Sequence, residues 1–396
     1  MIAVYLAPVY IIVCLYLLCR LLCWLRSCHE WTGKKAVRMA IIVVYSFLAL
    51  SILIAFILPP SGVRRVWKLI SNYWLGTLLY FVLVVGIADL LRFMLKRISF
   101  PKKEKLFSET GHAIVGGLCA LIIVIMSGVG IRGAAHVRET NYEVEIHKDA
   151  GDRKNMKVVL AADLHLGYSI GIWHMKQMVE KINAQHPDLV VIAGDIFDNE
   201  YEALDDPERL QEILSSIESK YGVYACYGNH DIDEKILAGF TFARKGKKQS
   251  DIRMDEFLER CNIRLLRDEY VLIDNAVYLY GRPDYERPGR GIEKRKTPEE
   301  IMENLDKSKP VFVIDHEPRE LQELADAGVD LDLCGHTHDG QMFPGNLVTK
   351  FFWENSCGYL KKDNMHNIVT SGVGVFGPNM RVGTKSEICN IQIRFR

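Results

Sequence analysis

The sequence has no net charge, since 49 lysines and arginines balance 49 aspartates and glutamates across 396 residues. Without a basic excess there is no electrostatic footprint for nucleic acid, and none is expected as a partner. No CxxC pair occurs among the ten cysteines, so neither a zinc knuckle nor a thioredoxin-like redox motif is on offer. Cys14, Cys19, Cys23, Cys28 and Cys119 lie in or beside apolar runs, and Cys226, Cys261, Cys334, Cys357 and Cys389 are scattered. All ten read as structural thiols. The first apolar run lacks a preceding basic stretch and a small-residue cleavage site, which argues against a cleaved signal peptide. Internal repeats and low-complexity tracts are absent too.

What is there divides sharply. Four apolar runs, Ile2–Leu22, Met39–Leu58, Tyr73–Leu95 and Ala113–Ile131, are each long enough to cross ~30 Å of hydrocarbon as a helix. In lipid such a run must be helical, because only a helix satisfies every backbone group internally. Basic residues set the expected orientation. Arg20, Arg26, Lys34, Lys35 and Arg38 join the first two runs, and Arg92, Lys96, Arg97, Lys102, Lys103 and Lys105 join the last two. The opposite side has only Arg64, Arg65, Lys68, Arg132 and Arg138. Both richer loops should face the cytoplasm, which leaves everything beyond about residue 132 outside. Asp89 and Arg92 are three apart in the third run and read as an interfacial pair.

The expected organisation is a four-helix transmembrane region over residues 1–132, a linker or edge strand over 133–156, and a soluble domain over 157–396. In that domain short β-branched runs alternate with amphipathic helical stretches, which predicts a sheet with helices on its faces. The predicted strands are Val158–Ala162, Leu189–Ala193, Val223–Tyr227, Val311–Ile314 and Leu331–Cys334, and Asp274-Asn275 predicts a hairpin between Tyr270 and Gly281.

Five polar clusters follow those strands in order. They are Asp163-Leu164-His165, Gly194-Asp195-Ile196-Phe197-Asp198, Gly228-Asn229-His230-Asp231, Asp315-His316-Glu317-Pro318 and Gly335-His336-Thr337-His338. Carboxylate, amide and imidazole donors together suit Mn, Fe or Zn better than Mg or Ca. The D-x-H and H-x-H spacings put two side chains on one side of an extended backbone. A carboxylate can bridge two cations, an arrangement that clamps the attacking and leaving oxygens of a phosphoryl displacement. Singly each cluster is weak, whereas five in order at strand ends are specific.

The ordered set resembles the calcineurin-like metallophosphoesterase family from about Met156 to Arg396. It is closest in pattern to a bacterial membrane-associated branch whose last motif reads GHTHGGQ. The resemblance implies a four-layer α/β/β/α sandwich in the α/β class, with a dinuclear site at its edge. It also implies that one metal is held by Asp163, His165, Asp195 and His338, and the other by Asp195, Asn229, His316 and His336. His230 would then be the catalytic imidazole, oriented by Asp231, and a hydroxide between the two divalent ions would attack phosphorus. Asp339 stands where the branch has glycine, and Ala162 where serine is common. Asp198 is open to two readings, support for a ligand or a helix cap.

Substrate choice is less legible. A basic loop at 240–250, including Arg244 and Lys245, and an apolar stretch at 342–353 both follow ligand clusters, and Arg381 is a candidate for binding a phosphate oxygen. An anchored domain meets lipid at high effective concentration, so the expectation is a phosphorylated lipid or envelope glycolipid at a bacterial cell membrane. The branch offers UDP-2,3-diacylglucosamine hydrolysis as one named reaction, which conflicts with an outward-facing domain because nucleotide sugars are cytoplasmic. Two other classes compete. A membrane sensor binding a phosphorylated ligand without turnover would have lost a ligand or His230, and a transporter would need more facing charges within the spans.

Overall fold

A computed structural model describes the backbone of residues 2–233, 236–237, 240–241 and 249–396, with side chains within 5–233 and 249–396. Arg244 and Lys245, and with them most of the basic loop, lie outside the described residues. The chain divides into two compact units, one built on residues 1–131 and the other on most of residues 132–396.

Four helices are long and apolar enough to cross a membrane: α1 (Ile2–Cys28), α2 (Lys35–Ile57), α3 (Gly62–Leu95) and α4 (Glu109–Ala135). Their outer surfaces are apolar, as lipid requires, and their few polar groups turn inward to partners. Trp74 lies edge-on to Tyr45 at 5.3 Å between ring centroids, its indole N–H donates to Tyr10, and Tyr45 donates to the Cys14 carbonyl. Asp89 departs from expectation. Its carboxylate pairs with Arg20 and accepts from Tyr16, both on α1, while Arg92 lies over the Phe107 ring. A cross-helix partner won over the one three residues away because it removes a lone charge from the span.

The first strand of the second unit is β1 (Val137–Ile146), so ten residues of the expected linker form an edge strand. Then follow β2 (Asn155–Ala161), α5 (Ile172–Ala184), β3 (Leu189–Ala193), α6 (Pro207–Ser215), β4 (Val223–Cys226), α7 (Ile252–Arg260) and β5 (Ile263–Leu265). The hairpin of β6 (Glu269–Ile273) and β7 (Val277–Gly281) follows, then α8 (Pro298–Met302), β8 (Val311–Ile314), α9 (Leu321–Ala327) and β9 (Leu331–Cys334). The chain closes with β10 (Gly358–Lys362), β11 (Met365–Val369) and β12 (Ser386–Phe395). One six-stranded sheet has the order β1-β12-β2-β3-β4-β5, and the other β10-β11-β9-β8-β7-β6.

The side-chain period of two builds four layers from these sheets. Val158 and Leu160 of β2 face the second sheet, where they join Val191, Phe312, Ile314, Leu333 and Ile391 in a core between the sheets. Val159 and Ala161 point the other way, against Met175, Met178 and Ile182 of α5, Leu210 of α6 and Phe257 of α7. On the far side of the second sheet, Tyr280, Val311 and Val313 bury against Met302 of α8 and Leu321 and Leu324 of α9. Because β2, β3 and β4 run parallel with both faces covered, their carboxyl ends form one edge. The carboxyl ends of the parallel β7, β8 and β9 form another. The five polar clusters stand on the loops that leave β2, β3, β4, β8 and β9.

Candidate metal centre

The strand ends hold their side chains under backbone strain. Asp163 (φ 53°), His165 (47°), Asp195 (50°), His336 (72°) and His338 (50°) all adopt the left-handed region that favours glycine. Neighbouring glycines make room. A Cβ on Gly228 would fall 2.3 Å from Asp195 Oδ1, and one on Gly194 (φ 76°) would fall 2.5 Å from His316 Nδ1. Asp339, where the family pattern has glycine, also has a left-handed φ of 52°.

Two donor groups result. In the first, His165 Nε2 and His338 Nε2 face each other at 3.0 Å, and His338 Nε2 lies 3.7 Å from Asp163 Oδ1. In the second, Asn229 Oδ1 is 3.1 Å from His316 Nε2 and 3.0 Å from His336 Nδ1, and those two nitrogens are 3.2 Å apart. Asp195 belongs to both. Its Oδ2 is 3.7 Å from His165 Nε2 and 3.2 Å from His316 Nε2, while Oδ1 accepts the His230 backbone N–H at 2.7 Å. All seven side chains named in the sequence as ligands therefore meet at the strand ends.

The donor set fits divalent cations. Two ligand atoms each about 2.1 Å from a shared ion, at tetrahedral or octahedral angles, stand about 3.0–3.4 Å apart. That is close to the spacing found within each group. His165 and His338 are both buried, and their facing nitrogens suit a shared cation as well as a hydrogen bond between the rings. His316 donates from Nδ1 to the Ala193 carbonyl at 2.9 Å, which turns its Nε2 toward Asn229 and Asp195. Burial pushes His336 down to about 3, with the neighbouring His316 adding to the effect, and this favours the neutral ring a cation needs. On His316, burial is outweighed by Asp195, which holds a proton there well above the usual range. The carboxylates thus demand positive charge in this pocket.

The surrounding groups correct two expectations. Asp231 does not orient His230. It is fully buried, and its oxygens accept from the Phe197 and Gly228 backbone N–H groups at 2.8 and 2.7 Å, tying two ligand loops together. The partner of His230 is Asn199, whose Oδ1 accepts from Nδ1. Arg381 likewise is 1% exposed, with its guanidinium directed at the carbonyls of Ser371 (2.6 Å), Gly374 (2.7 Å) and His338 (3.3 Å). A guanidinium so occupied braces the His338 loop and leaves no fork for a phosphate oxygen. Asp198 lies 3.7 Å from His165 Nδ1, on the side of that ring away from His338.

Sequence reasoning gave several residues no role at the centre. Phe376 packs on the rings of His230 (4.5 Å) and His165 (5.6 Å). Glu317 Oε1 stands 3.4 Å from His336 Nε2. Trp353 lies 5.1 Å from the His336 ring, and Arg319 stacks between Trp353 and Tyr285. Behind His316, the fully buried Asp315 receives Arg282 at 2.8 Å and Arg295 at 3.0 Å, and both arginines reach Glu320 at 2.6 Å. The Glu-Pro after His316 was a signal for Glu317, but nothing local marks Asn199 or Phe376.

Residues 156–340 match the family model of the calcineurin-like phosphoesterases. The chain is similar to a Danio rerio transmembrane protein with metallophosphoesterase domain, 28% identical over 408 residues, covering 96% of this chain and 87% of that one. A Bos taurus protein of the same description is 28% identical over 299 residues, covering 70% and 62%. A metallophosphoesterase of Campylobacter jejuni is 28% identical over 250 residues, covering 61% and 60%. The chain thus spans less than two thirds of the latter two relatives. Donors of this kind on strands of this order, the match of residues 156–340 to the calcineurin-like phosphoesterases and four helices long and apolar enough to cross a membrane together make the chain a membrane-associated, metal-dependent phosphoesterase.

Proposed function

We propose that this protein hydrolyses the phosphate ester or pyrophosphate bond of a lipid-linked substrate at a two-cation centre. Asp163, His165, Asp195 and His338 would hold one ion, and Asp195, Asn229, His316 and His336 the other. The observation that carries the reading is Asp195 Oδ2, which stands within 3.7 Å of a histidine from each donor group. Bound there, the ions supply Lewis-acid charge and a nucleophilic water at neutral pH.

The chain's own residues do the rest. Asp195 fixes the spacing of the two donor groups through Oδ2 and is itself fixed by the His230 backbone N–H through Oδ1. His230 has Nδ1 committed to Asn199, so Nε2 is the nitrogen open to the substrate. Burial lowers this imidazole to about 4, with Asp195 working against the shift. An arriving phosphate brings negative charge, which raises the proton affinity of the ring and lets it deliver a proton to the leaving oxygen. Phe376, packed on His230 and His165, keeps water from both rings.

The anchor favours a substrate carried in the same bilayer. The excess of basic residues in the α1–α2 and α3–α4 loops supports an outward-facing catalytic domain.

The test is hydrolysis of bis-p-nitrophenyl phosphate by the full chain with Mn²⁺. Asp195→Asn should abolish it and reduce bound metal. Wild-type inactivity across Mn, Fe, Co and Zn at verified occupancy would sink the proposal. Labelling of a cysteine placed in residues 61–72, and of one in the catalytic domain, by an impermeant reagent would decide the topology.

A further inference from the structure

The catalytic unit exposes apolar side chains in one short stretch. Phe343, Leu347, Val348, Phe351 and Phe352 are 43%, 49%, 47%, 87% and 78% exposed, and Lys350 stands among them. A soluble surface scatters such groups singly, whereas five within ten residues form a patch. The stretch holds a short helical turn, Gly345–Val348, and ends at Trp353, which packs on His336.

Its position follows from four contacts within the unit. Gly133, in the last turn of α4, has no room for a Cβ because the Arg381 carbonyl oxygen would lie 2.5 Å from it. The next residue, Val382, bridges to Met342 and accepts the Phe343 N–H at 2.8 Å. Beside it, Gly383 faces Asn346 and Phe343. The Arg381 guanidinium meanwhile reaches the His338 carbonyl. Gly133, Arg381 and His338 therefore form a path of three residues from the end of a membrane-crossing helix to a metal donor. The apolar stretch hangs on the same loop. At that end α4 passes from apolar residues to the exposed Arg132 and His136, the composition of a helix leaving lipid.

We propose that residues 343–352 dock into the interfacial layer of the chain's own membrane, with Phe351 and Phe352 entering between lipid headgroups and Lys350 meeting their phosphates. Aromatic and aliphatic side chains flanked by lysine are the chemistry that layer accepts. The occupant is a lipid surface, chosen because the chain itself enters the bilayer at this end of the unit. Combined with the phosphoesterase reading, on which this consequence rests, the docking brings the Trp353–His336 side of the metal centre to headgroup level. The substrate class is then a phosphorylated headgroup approached from the lipid side.

The test uses the full chain in vesicles of phosphatidylcholine and phosphatidylglycerol, with p-benzoylphenylalanine replacing Phe351. This swap keeps an exposed aromatic and so does not threaten folding. Lys307, exposed in the turn before β8 at the opposite end of the strand, is the control position. Photolysis should give lipid adducts at 351 at least about tenfold above those at 307. Equal yields overturn the proposal, as do adducts at 351 formed mainly with a second copy of the chain. Because cross-linking needs no turnover, a protein that marks lipid but never hydrolyses a soluble phosphodiester would defeat the phosphoesterase reading alone.

Discussion

The His230 ring donates from Nδ1 to Oδ1 of Asn199, on the loop that leaves the neighbouring strand β3, and this bond fixes which imidazole nitrogen is free. Asn199 also donates to the Ile232 carbonyl at 2.9 Å, so its own orientation is locked. Asn199→Ala should lower kcat about 10–100-fold with bound metal unchanged. Asn199→Asp should move the alkaline limb of the pH–rate profile upward, because a carboxylate beside the ring favours its protonated form. Equal metal content with an unmoved profile in both variants would remove Asn199 from the mechanism.

Glu317 near Nε2 of His336 predicts an effect on metal rather than on proton transfer. Glu317→Ala should weaken metal affinity about 10–100-fold while sparing turnover at saturating metal. Titration with Mn²⁺, followed by hydrolysis of a soluble phosphodiester, separates the two.

The buried network behind His316 makes a stability prediction. Removing one arginine leaves Asp315 and Glu320 short of a partner, and breaking a buried ion pair in this way costs about 3–5 kcal/mol. Arg295→Met should show a loss of that size in denaturant unfolding of the catalytic unit. A loss under about 1 kcal/mol would mean water replaces the guanidinium.

Asp332 supplies a pH dependence away from the metal donors. Burial pushes its carboxyl up to about 7, with Asp315 adding to the shift, and Asn367 donates to Oδ2 at 2.8 Å. An acid raised on folding is more protonated in the native state than in the unfolded one. Its contribution is complete below the unfolded value near 4 and is lost as pH rises through about 7. The wild type should therefore lose thermal stability between pH 5 and 8 more steeply than Asp332→Asn. Identical slopes would exclude Asp332 as the source.

The two kinds of material were legible in the sequence because each obeys a local rule. Apolar runs of about 20 residues are long enough to cross a bilayer as helices, and alternating strands and helices pack as a sheet with covered faces. The seven candidate donors stood out for the same reason, each lying within a few residues of a strand end. Local rules then misled at Asp231 and Asp89. Asp231 is next to His230 in the chain, yet its carboxylate is spent on the backbone of Phe197 and Gly228. Asp89 was paired with its helical neighbour, yet it reaches Arg20 on another helix. Arg381 read as a candidate for binding a phosphate oxygen, though it lies buried against the carbonyl of His338.

Sequence alone thus determined the candidate donors, their strand-end positions and the four long apolar helices, because periodicity and motif spacing act over a few residues. Tertiary structure alone decided which groups face one another: Asn199 on His230, Glu317 near His336, and Asp163 near His338. Those pairings join residues tens to hundreds of positions apart. Only the packing of two sheets and their loops brings such residues within hydrogen-bonding distance.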